Sequence, residues 1–324
     1  MRNERAPVII GSERSDVGLP AAWEVLSSGG SALDAVETAI RAVEANVEDH
    51  YVGVGGMPNA LGVVELDASL SVGSTRRFAA VAALAGYPHP ISVARAILER
   101  LPQHCLLVGE GAARFAHDEG FERAELLTDE SRRLFEQTMA GADDGTERDQ
   151  LEGVRTRSTP GDLRYRERAI DLMRRLAPHD GPWGTVNVIA LDSAGEIVAG
   201  VSTSGYPYKY PGRVGDSALP GAGAYADARG AAACTGRGEM AMRVGAARTA
   251  VERLEGLGPL GACHSVLADA ATLDDPFAAE LRVLILTADG RHAGASLQPG
   301  ATYFVMDAAA AEPRLIERSV SGGN

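Results

Sequence analysis

The pattern that most constrains the fold is a repeated arrangement of two apolar runs joined by a short turn. Val186–Leu191 and Ile197–Val201 form the first pair, and Leu281–Thr287 and His292–Leu297 form the second, around the turn Ala288–Gly290. Short apolar runs bounded by turn residues are typical of buried strands, and turns that contain Asp and Gly join such strands into hairpins. The sequence therefore predicts antiparallel sheets in the second half of the chain.

Helices are predicted on both sides of the first hairpin. Ser31, with an acidic residue three positions later, is typical of a helix start. An apolar face then recurs at intervals of three and four residues, through Leu33, Val36, Ile40, Val43 and Val47. Further helices are predicted over residues 91–101, 109–117 and 240–254, and a strand over Val63–Leu66. Helices and hairpins that occur in blocks favour an α+β fold over a strictly alternating parallel sheet.

Composition argues against several classes of function. The chain has 324 residues, of which 45% are hydrophobic and 23% charged, proportions that are ordinary for a soluble globular protein with a sizeable core. The net charge of −13 argues against nucleic-acid binding, because phosphate groups require a basic surface. The seven histidines show no metal-ligand spacing, so we expect neither a metal site nor a cofactor.

Cysteine usage and apolar runs bear on the compartment. The three cysteines, Cys105, Cys234 and Cys263, are odd in number and far apart, which argues against a disulfide framework. The apolar run Val8–Ile10 is too short for a signal-peptide core, and no other run approaches the length needed to span a membrane. We therefore expect a cytoplasmic protein that does not bind membranes.

Thr185 stands at an abrupt change in the character of the chain. Residues 142–168 mix charges of both signs with Gly and Pro, which indicates an exposed linker, whereas a buried strand is predicted directly after Thr185. A threonine beside a strand is most often structural. If the chain is cut between Gly184 and Thr185, however, the new α-amine lies beside the hydroxyl. Its pKa of about 8 allows it to act as the general base.

Arg213 and Asp216 lie three residues apart in a glycine-rich segment. A guanidinium offers two parallel donors to a carboxylate, and a carboxylate accepts from an ammonium group. The pair is therefore suited to hold the two charged groups of one free amino acid. On the residues alone, an ordinary salt bridge between Arg213 and Asp216 is the alternative.

A dinucleotide-binding motif is a competing interpretation of the next segment. Residues 221–226 match the loose pattern G-x-G-x-x-A. That motif requires a strand before it and a helix that begins at its end. The preceding residues, Gly215–Pro220, show no strand pattern, so we do not expect nucleotide binding.

A series of short motifs runs through most of the chain outside residues 142–168. The series begins at Gly29–Glu37 and continues through residues 55–59, 66–68, 107–110, 200–205, 212–225 and 233–236. In order and in sequence these motifs resemble the glycosylasparaginase and plant-type asparaginase (isoaspartyl peptidase) family of N-terminal nucleophile hydrolases.

The resemblance implies a fold, a processing event and an assembly. The fold is a four-layer αββα sandwich that forms one domain over residues 1–324. Self-cleavage before Thr185 then gives an α subunit, residues 1–184, and a β subunit, residues 185–324. The cleaved αβ units are implied to form a homodimer, and the partner is a small amino-acid amide substrate.

The resemblance also implies which residues carry the reaction. Thr185 corresponds to the nucleophile, and Thr203 forms a hydrogen bond near its hydroxyl. The Thr235 hydroxyl and the Gly236 amide form the oxyanion hole. The enzyme is then expected to hydrolyse the side-chain β-amide of asparagine derivatives, of the N4-(β-N-acetylglucosaminyl)-L-asparagine type, through a threonine acyl-enzyme.

Substrate binding is implied to involve three further residues. Arg213 corresponds to the residue that binds the α-carboxylate of the substrate. Asp216, together with the carbonyl of Gly238, corresponds to the binding site for its α-amine. An enzyme built in this way requires both groups of the substrate to be free, and it excludes asparagine within a polypeptide.

Three departures from the family pattern keep alternatives open. Gly184 before the nucleophile resembles the asparaginase branch, and Glu13 stands where glycosylasparaginases carry tryptophan, so isoaspartyl aminopeptidase or L-asparaginase activity is the alternative. Asn187 replaces a glycine that the family favours two residues after the nucleophile. A further alternative is therefore an uncleaved, inactive relative that binds aspartate-like ligands.

Overall fold

The computed structural model of the chain describes residues 5–142, 184–275, 280–310 and 312–322. The predicted linker over residues 142–168 lies outside these ranges except for its first residue. Within the described residues the chain forms two sheets, one of eight strands and one of five. The strands are β1 Val8–Ser12, β2 Leu66–Val72, β3 Arg77–Leu84, β4 Leu106–Val108, β5 Val186–Leu191, β6 Ile197–Thr203, β7 Ala224–Asp227, β8 Gly230–Gly236, β9 Leu281–Thr287, β10 His292–Ser296, β11 Thr302–Asp307, β12 Arg314–Glu317 and β13 Ser319–Val320.

The two sheets are mainly antiparallel. The larger sheet has the order β12-β11-β1-β5-β6-β2-β3-β4, and the smaller has the order β13-β10-β9-β8-β7. Only β3 with β4 and β10 with β13 pair in parallel among the described strands. The helices are α1 Leu19–Ser27, α2 Ala32–Glu44, α3 Pro90–Arg100, α4 Gly109–Asp118, α5 Asp129–Ala142, α6 Gly238–Val244, α7 Ala246–Glu252 and α8 Leu254–Ala271.

Three apolar layers hold the helices and sheets together. Helices α1 to α4 pack on the outer face of the larger sheet, the two sheets pack on each other, and α6 to α8 cover the smaller sheet. Val188 and Ile189, neighbours on β5, enter different layers because successive side chains of a strand point to opposite faces. The predicted α+β fold with four αββα layers is therefore confirmed, as are both hairpins.

The first predicted helix begins as expected but ends early. The Ser31 hydroxyl accepts a hydrogen bond from the amide of Asp34 at 3.1 Å and caps α2. The helix ends at Glu44. The loop that follows folds back over this end, and the amide of its residue Val54 donates a hydrogen bond to the carbonyl of Glu44 at 2.8 Å. The prediction that Val47 extends the buried face is therefore wrong, because its side chain is 51% exposed.

Two other predicted boundaries also differ. The strand expected over residues 63–66 begins only at Leu66, because the backbone of Val63 forms hydrogen bonds with Asn59 in a local turn. The single helix expected over residues 240–254 is divided at Gly245. This glycine has a left-handed backbone, φ 56° and ψ 49°, which ends α6 and redirects the chain into α7. The helices predicted over residues 91–101 and 109–117 are α3 and α4.

The dinucleotide motif lacks the structure that its function needs. Residues 221–226 lead into strand β7 and not into a helix, and a short 3-10 helix, Asp216–Ala218, precedes them. Among the described residues, moreover, no helix combines the length and the apolar composition needed to cross a membrane.

Candidate active site

The Gly184–Thr185 junction lies at the start of β5, in the middle of the larger sheet. Strand β6 holds one side, because the Thr203 hydroxyl donates to the carbonyl of Gly184 at 2.8 Å. Strand β1 holds the other side, because the Ser12 hydroxyl donates to the carbonyl of Thr185 at 3.1 Å. The carbonyl of the peptide bond predicted to be cut is thus polarised by a buried hydroxyl group.

Glycine before Thr185 has a packing reason in this chain. A Cβ atom built on Gly184 would lie 2.0 Å from the Cβ atom of Tyr51, a distance that no side chain tolerates. Tyr51 is itself fixed, since the guanidinium carbon of Arg14 lies 4.5 Å from the centre of its ring. The close approach of the loop that carries Tyr51 therefore explains why Gly184 precedes Thr185.

A small pocket beside this junction brings together most of the residues predicted for the site. Its lining includes Gly184, Thr185, Thr203, Arg213, Asp216 and Gly236. These residues come from the segment directly before β5, from the end of β6, from the loop after β6 and from the end of β8. Gly238 lies against the same pocket, because a Cβ atom at this position would lie 2.7 Å from Oδ1 of Asp216.

The guanidinium of Arg213 is paired with Glu239. Its Nη2 lies 3.0 Å from both carboxylate oxygens of Glu239, and its Nε lies 3.1 Å from Oε1. The guanidinium carbon also lies 4.5 Å from the centre of the Tyr206 ring. The planar guanidinium is therefore held on its face by Tyr206 and at its edge by Glu239. The alternative, a salt bridge between Arg213 and Asp216, is therefore wrong: Arg213 forms its salt bridge with Glu239.

Asp216 is a buried carboxyl group with one unused oxygen. The residue is 6% exposed, and its Oδ2 has no hydrogen-bond partner among the described residues. Burial raises the pKa of Asp216 to about 7; the positive charge of Arg213 opposes this shift, and the negative charges of Glu239 and Asp67 add to it. Such an oxygen, next to a guanidinium, is suited to accept from the ammonium group of a ligand.

Thr235 and Gly236 are the last two residues of β8, and Gly236 lines the pocket. Gly236 has φ +116°, and a Cβ atom there would lie 2.1 Å from the carbonyl oxygen of Glu280, so only glycine fits. The hydroxyl of Thr235 is buried and accepts a hydrogen bond from Nδ2 of Asn187 at 2.6 Å. A backbone amide and a fixed hydroxyl on adjacent residues at the end of a strand are suited to stabilise an oxyanion.

Three residues of the site were not predicted from the sequence. Glu239 and Tyr206 each directly follow a glycine of a predicted motif, which is the only local signal for either. Glu239 lies in α6 and Tyr206 in the loop after β6, so both contacts with Arg213 depend on the packing of α6 against that loop. Asn187 was noted only as a departure from the family pattern, yet its amide reaches Thr235. In the part of the chain that the structure describes, no group of His, Cys, Asp and Glu side chains is arranged for a metal ion.

Comparison with known proteins supports the resemblance found in the sequence. A family model described as asparaginase matches residues 16–311. The chain is 36% identical to N(4)-(Beta-N-acetylglucosaminyl)-L-asparaginase of Elizabethkingia miricola, over 76% of this chain and 64% of that protein. It is 36% identical to the mouse (Mus musculus) protein of the same name, over 81% of this chain and 76% of the relative. It is also 36% identical to plant-type L-asparaginase of Pyrococcus abyssi (strain GE5 / Orsay), over 78% and 74%.

These relatives carry both names that the motifs suggested, and they leave the particular type open. The chain spans 64% of the length of the bacterial relative, somewhat less than two thirds of that protein. The family match extends from α1 to the loop after β11 and thus includes strands β2 to β11 and every residue that lines the pocket. The chain therefore belongs to the asparaginase family of hydrolases that includes glycosylasparaginases and plant-type asparaginases.

Proposed function

We propose that this protein hydrolyses the side-chain β-amide of asparagine derivatives whose α-amine and α-carboxylate are both free. The proposal depends chiefly on one observation: the Gly184–Thr185 junction and the charged pair Arg213 and Asp216 line the same pocket. Cleavage before Thr185 would place a nucleophile and its own base within this pocket. The guanidinium and the carboxylate would then fix the two charged ends of one amino acid beside it.

Each step of the reaction has a group that can perform it. The Thr185 hydroxyl oxygen attacks the amide carbon while the α-amine of Thr185 takes its proton, because an amine with a pKa of about 8 is neutral in part near neutral pH. The Thr235 hydroxyl and the Gly236 amide donate to the oxyanion. The carbon–nitrogen bond then breaks, and the protonated α-amine returns its proton to the leaving amine. This leaves a β-aspartyl ester on Thr185.

Water completes the cycle. The α-amine of Thr185 takes a proton from the attacking water, whose oxygen bonds to the ester carbon, and the oxyanion is stabilised by the same two donors. The ester bond breaks, Thr185 recovers its hydroxyl proton from the ammonium group, and aspartate leaves. Arg213 and Asp216 hold the substrate through both halves of the reaction, which keeps the carbonyl carbon within reach of the nucleophile.

The domain organisation, the assembly and the location are part of the proposal. The chain is proposed to be one domain cut into residues 1–184 and 185–324, and the cleaved αβ units are proposed to form a homodimer, on the strength of the family resemblance. The three cysteines are unpaired, and two of them, Cys234 and Cys263, are buried, which favours the reduced cytoplasm. The partner is the small amino-acid amide, with no cofactor.

The leaving group has two candidates. The first is a sugar amine, as the names of the bacterial and mouse relatives describe for those proteins. The second is ammonia or an amino acid, from L-asparagine or an isoaspartyl dipeptide. This second candidate is favoured by Glu13, which directly follows Ser12 beside the nucleophile and is paired with Arg282 at 3.1 Å. A charged pair at this position offers a sugar ring no aromatic surface.

The first experiment is intact-mass analysis of the freshly purified protein beside a Thr185→Ala variant. We expect two fragments that meet at Gly184/Thr185 in the wild type and a single chain in the variant, because alanine has no hydroxyl to attack the preceding carbonyl. Release of product from N-glycosylated asparagine, isoaspartyl dipeptides and L-asparagine then identifies the leaving group. A wild-type chain that stays whole after long incubation, and binds aspartate without turnover, would establish an inactive binding protein instead.

A further inference from the structure

Asn187, at a position where the family resemblance implied a glycine, lies beside the candidate nucleophile and contacts Thr235. The residue is 1% exposed and lies on β5, two residues after Thr185, so both side chains belong to the same face of the strand. Its backbone amide donates to the Ser12 hydroxyl at 2.9 Å, which fixes the strand at this point. Asn187 is therefore held rigidly beside the nucleophile.

The side-chain amide of Asn187 contacts a single described polar group, the Thr235 hydroxyl. Its Nδ2 lies 2.6 Å from Thr235 Oγ1, and its Oδ1 is buried without a hydrogen-bond partner among the described residues. A hydroxyl group has one proton to donate and two lone pairs that accept. Because the amide nitrogen occupies a lone pair of Thr235, the hydroxyl proton must point in another direction.

We infer that Asn187 is a positioning residue that sets the direction of the Thr235 hydroxyl proton for oxyanion stabilisation. This inference rests on the proposed function, in which Thr235 is an oxyanion donor. A donor that is already oriented needs no rearrangement when charge develops in the transition state, whereas a freely rotating hydroxyl does. In chains with glycine at this position no side chain can supply such a contact.

A double-mutant cycle tests the inference. Asn187→Leu keeps the approximate size of the side chain and removes the donor; we expect kcat per cleaved chain to fall about 10-fold with KM nearly unchanged. Thr235→Ala is expected to lower kcat by ~100-fold or more. In the Thr235→Ala background, Asn187→Leu should then change kcat by less than about 2-fold. Equal losses in both backgrounds would show that Asn187 has only a structural role and would overturn the inference.

A second variant keeps the test decisive if leucine disturbs folding. Asn187→Asp has nearly the same shape but, when ionised, can only accept, so it would draw the Thr235 proton away from the substrate. We expect the ratio of variant to wild-type kcat to rise as the pH falls, because a protonated carboxyl group can donate again. A ratio that does not depend on pH would contradict the inference. Wild-type turnover is measured first, so a failure of the proposed function is recognised separately from a failure of Asn187 to act.

Discussion

At the scale of single residues, the site depends on how buried charges are paired. Arg213 is held by both oxygens of Glu239 and by the face of Tyr206, so its planar group is oriented before any ligand binds. Asp216, in contrast, keeps one buried oxygen without a partner among the described residues, next to that guanidinium. An amino acid would complete this arrangement, because its ammonium group satisfies Asp216 and its carboxylate lies near Arg213.

Replacing Arg213 by lysine tests the role of the planar group. Arg213→Lys keeps the positive charge but loses the two parallel donors and the stacking on Tyr206. We expect KM to rise by about 10-fold or more, with a smaller change in kcat. Steady-state kinetics on the cleaved enzyme measures both constants. Arg248→Lys is the matched control, because the Arg248 side chain is 64% exposed on α7 and forms an ion pair with Glu252 on the same helix. An unchanged KM for Arg213→Lys would remove Arg213 from the substrate site.

The pKa of Asp216 predicts a pH dependence of substrate binding. Burial raises this pKa from 3.8 to about 7, so the carboxylate that accepts from an ammonium group is present above about pH 7 and is lost below it. We expect KM to increase as the pH falls through 7, by about 10-fold for each further unit. Asp216→Asn, which cannot ionise, should show a high KM that no longer varies in this way. Measured KM values that are constant between about pH 5 and 8 in the wild type would refute the assignment.

At the scale of helices and strands, local sequence signals located several helices and both hairpins but not the ends of these elements. The Ser31 cap and the apolar spacing placed α2 correctly, and the apolar runs placed β5, β6, β9 and β10. The end of α2 at Glu44 was missed because the apolar spacing continues to Val47 and does not show that the following loop folds back, so that the Val54 amide donates to the Glu44 carbonyl. The division between α6 and α7 was missed because one glycine inside an apolar pattern does not reveal its backbone conformation.

Gly245 offers a direct test of that division. Gly245→Ala places a Cβ atom on a left-handed residue, where the nearest described atom is Thr249 Oγ1 at 3.8 Å, so the cost is backbone strain and not a clash. We expect the free energy of unfolding to fall by about 1 kcal/mol. Urea denaturation measures the change. Gly111→Ala is the control, because Gly111 lies in α4 with no atom near its added Cβ, and there we expect a gain of about 0.5 kcal/mol. A gain in both variants would mean that α6 and α7 can form one continuous helix.

At the scale of the whole molecule, the sheets interleave strands from both sides of the junction. Strand β1 lies between β11 and β5, and β2 pairs with β6, so three strand pairs form backbone hydrogen bonds between residues 1–184 and residues 185–324. The apolar layer under α2 also draws residues from both parts, among them Val36 and Val188. A cut at the junction therefore breaks one peptide bond and leaves the core contacts in place.

We therefore expect the two fragments to remain together after cleavage. They should co-elute in size-exclusion chromatography under native conditions and separate only in denaturant, because each fragment alone would expose sheet edges and apolar surface. The same column reports whether the cleaved units assemble as the proposed homodimer. Fragments that elute separately without denaturant would show that the two parts do not share a core.

The sequence by itself determined the start of α2, the two hairpins and the family, and it pointed to the candidate site residues, because these follow from neighbours in the chain and from motif order. The sequence did not determine which side chains contact one another in the site. The pairing of Arg213 with Glu239, the contact of Asn187 with Thr235 and the raised pKa of Asp216 depend on which distant segments meet and on how completely they exclude water. Only the tertiary structure decided these, since hydrogen-bond direction and desolvation are properties of packed side chains and not of sequence spacing.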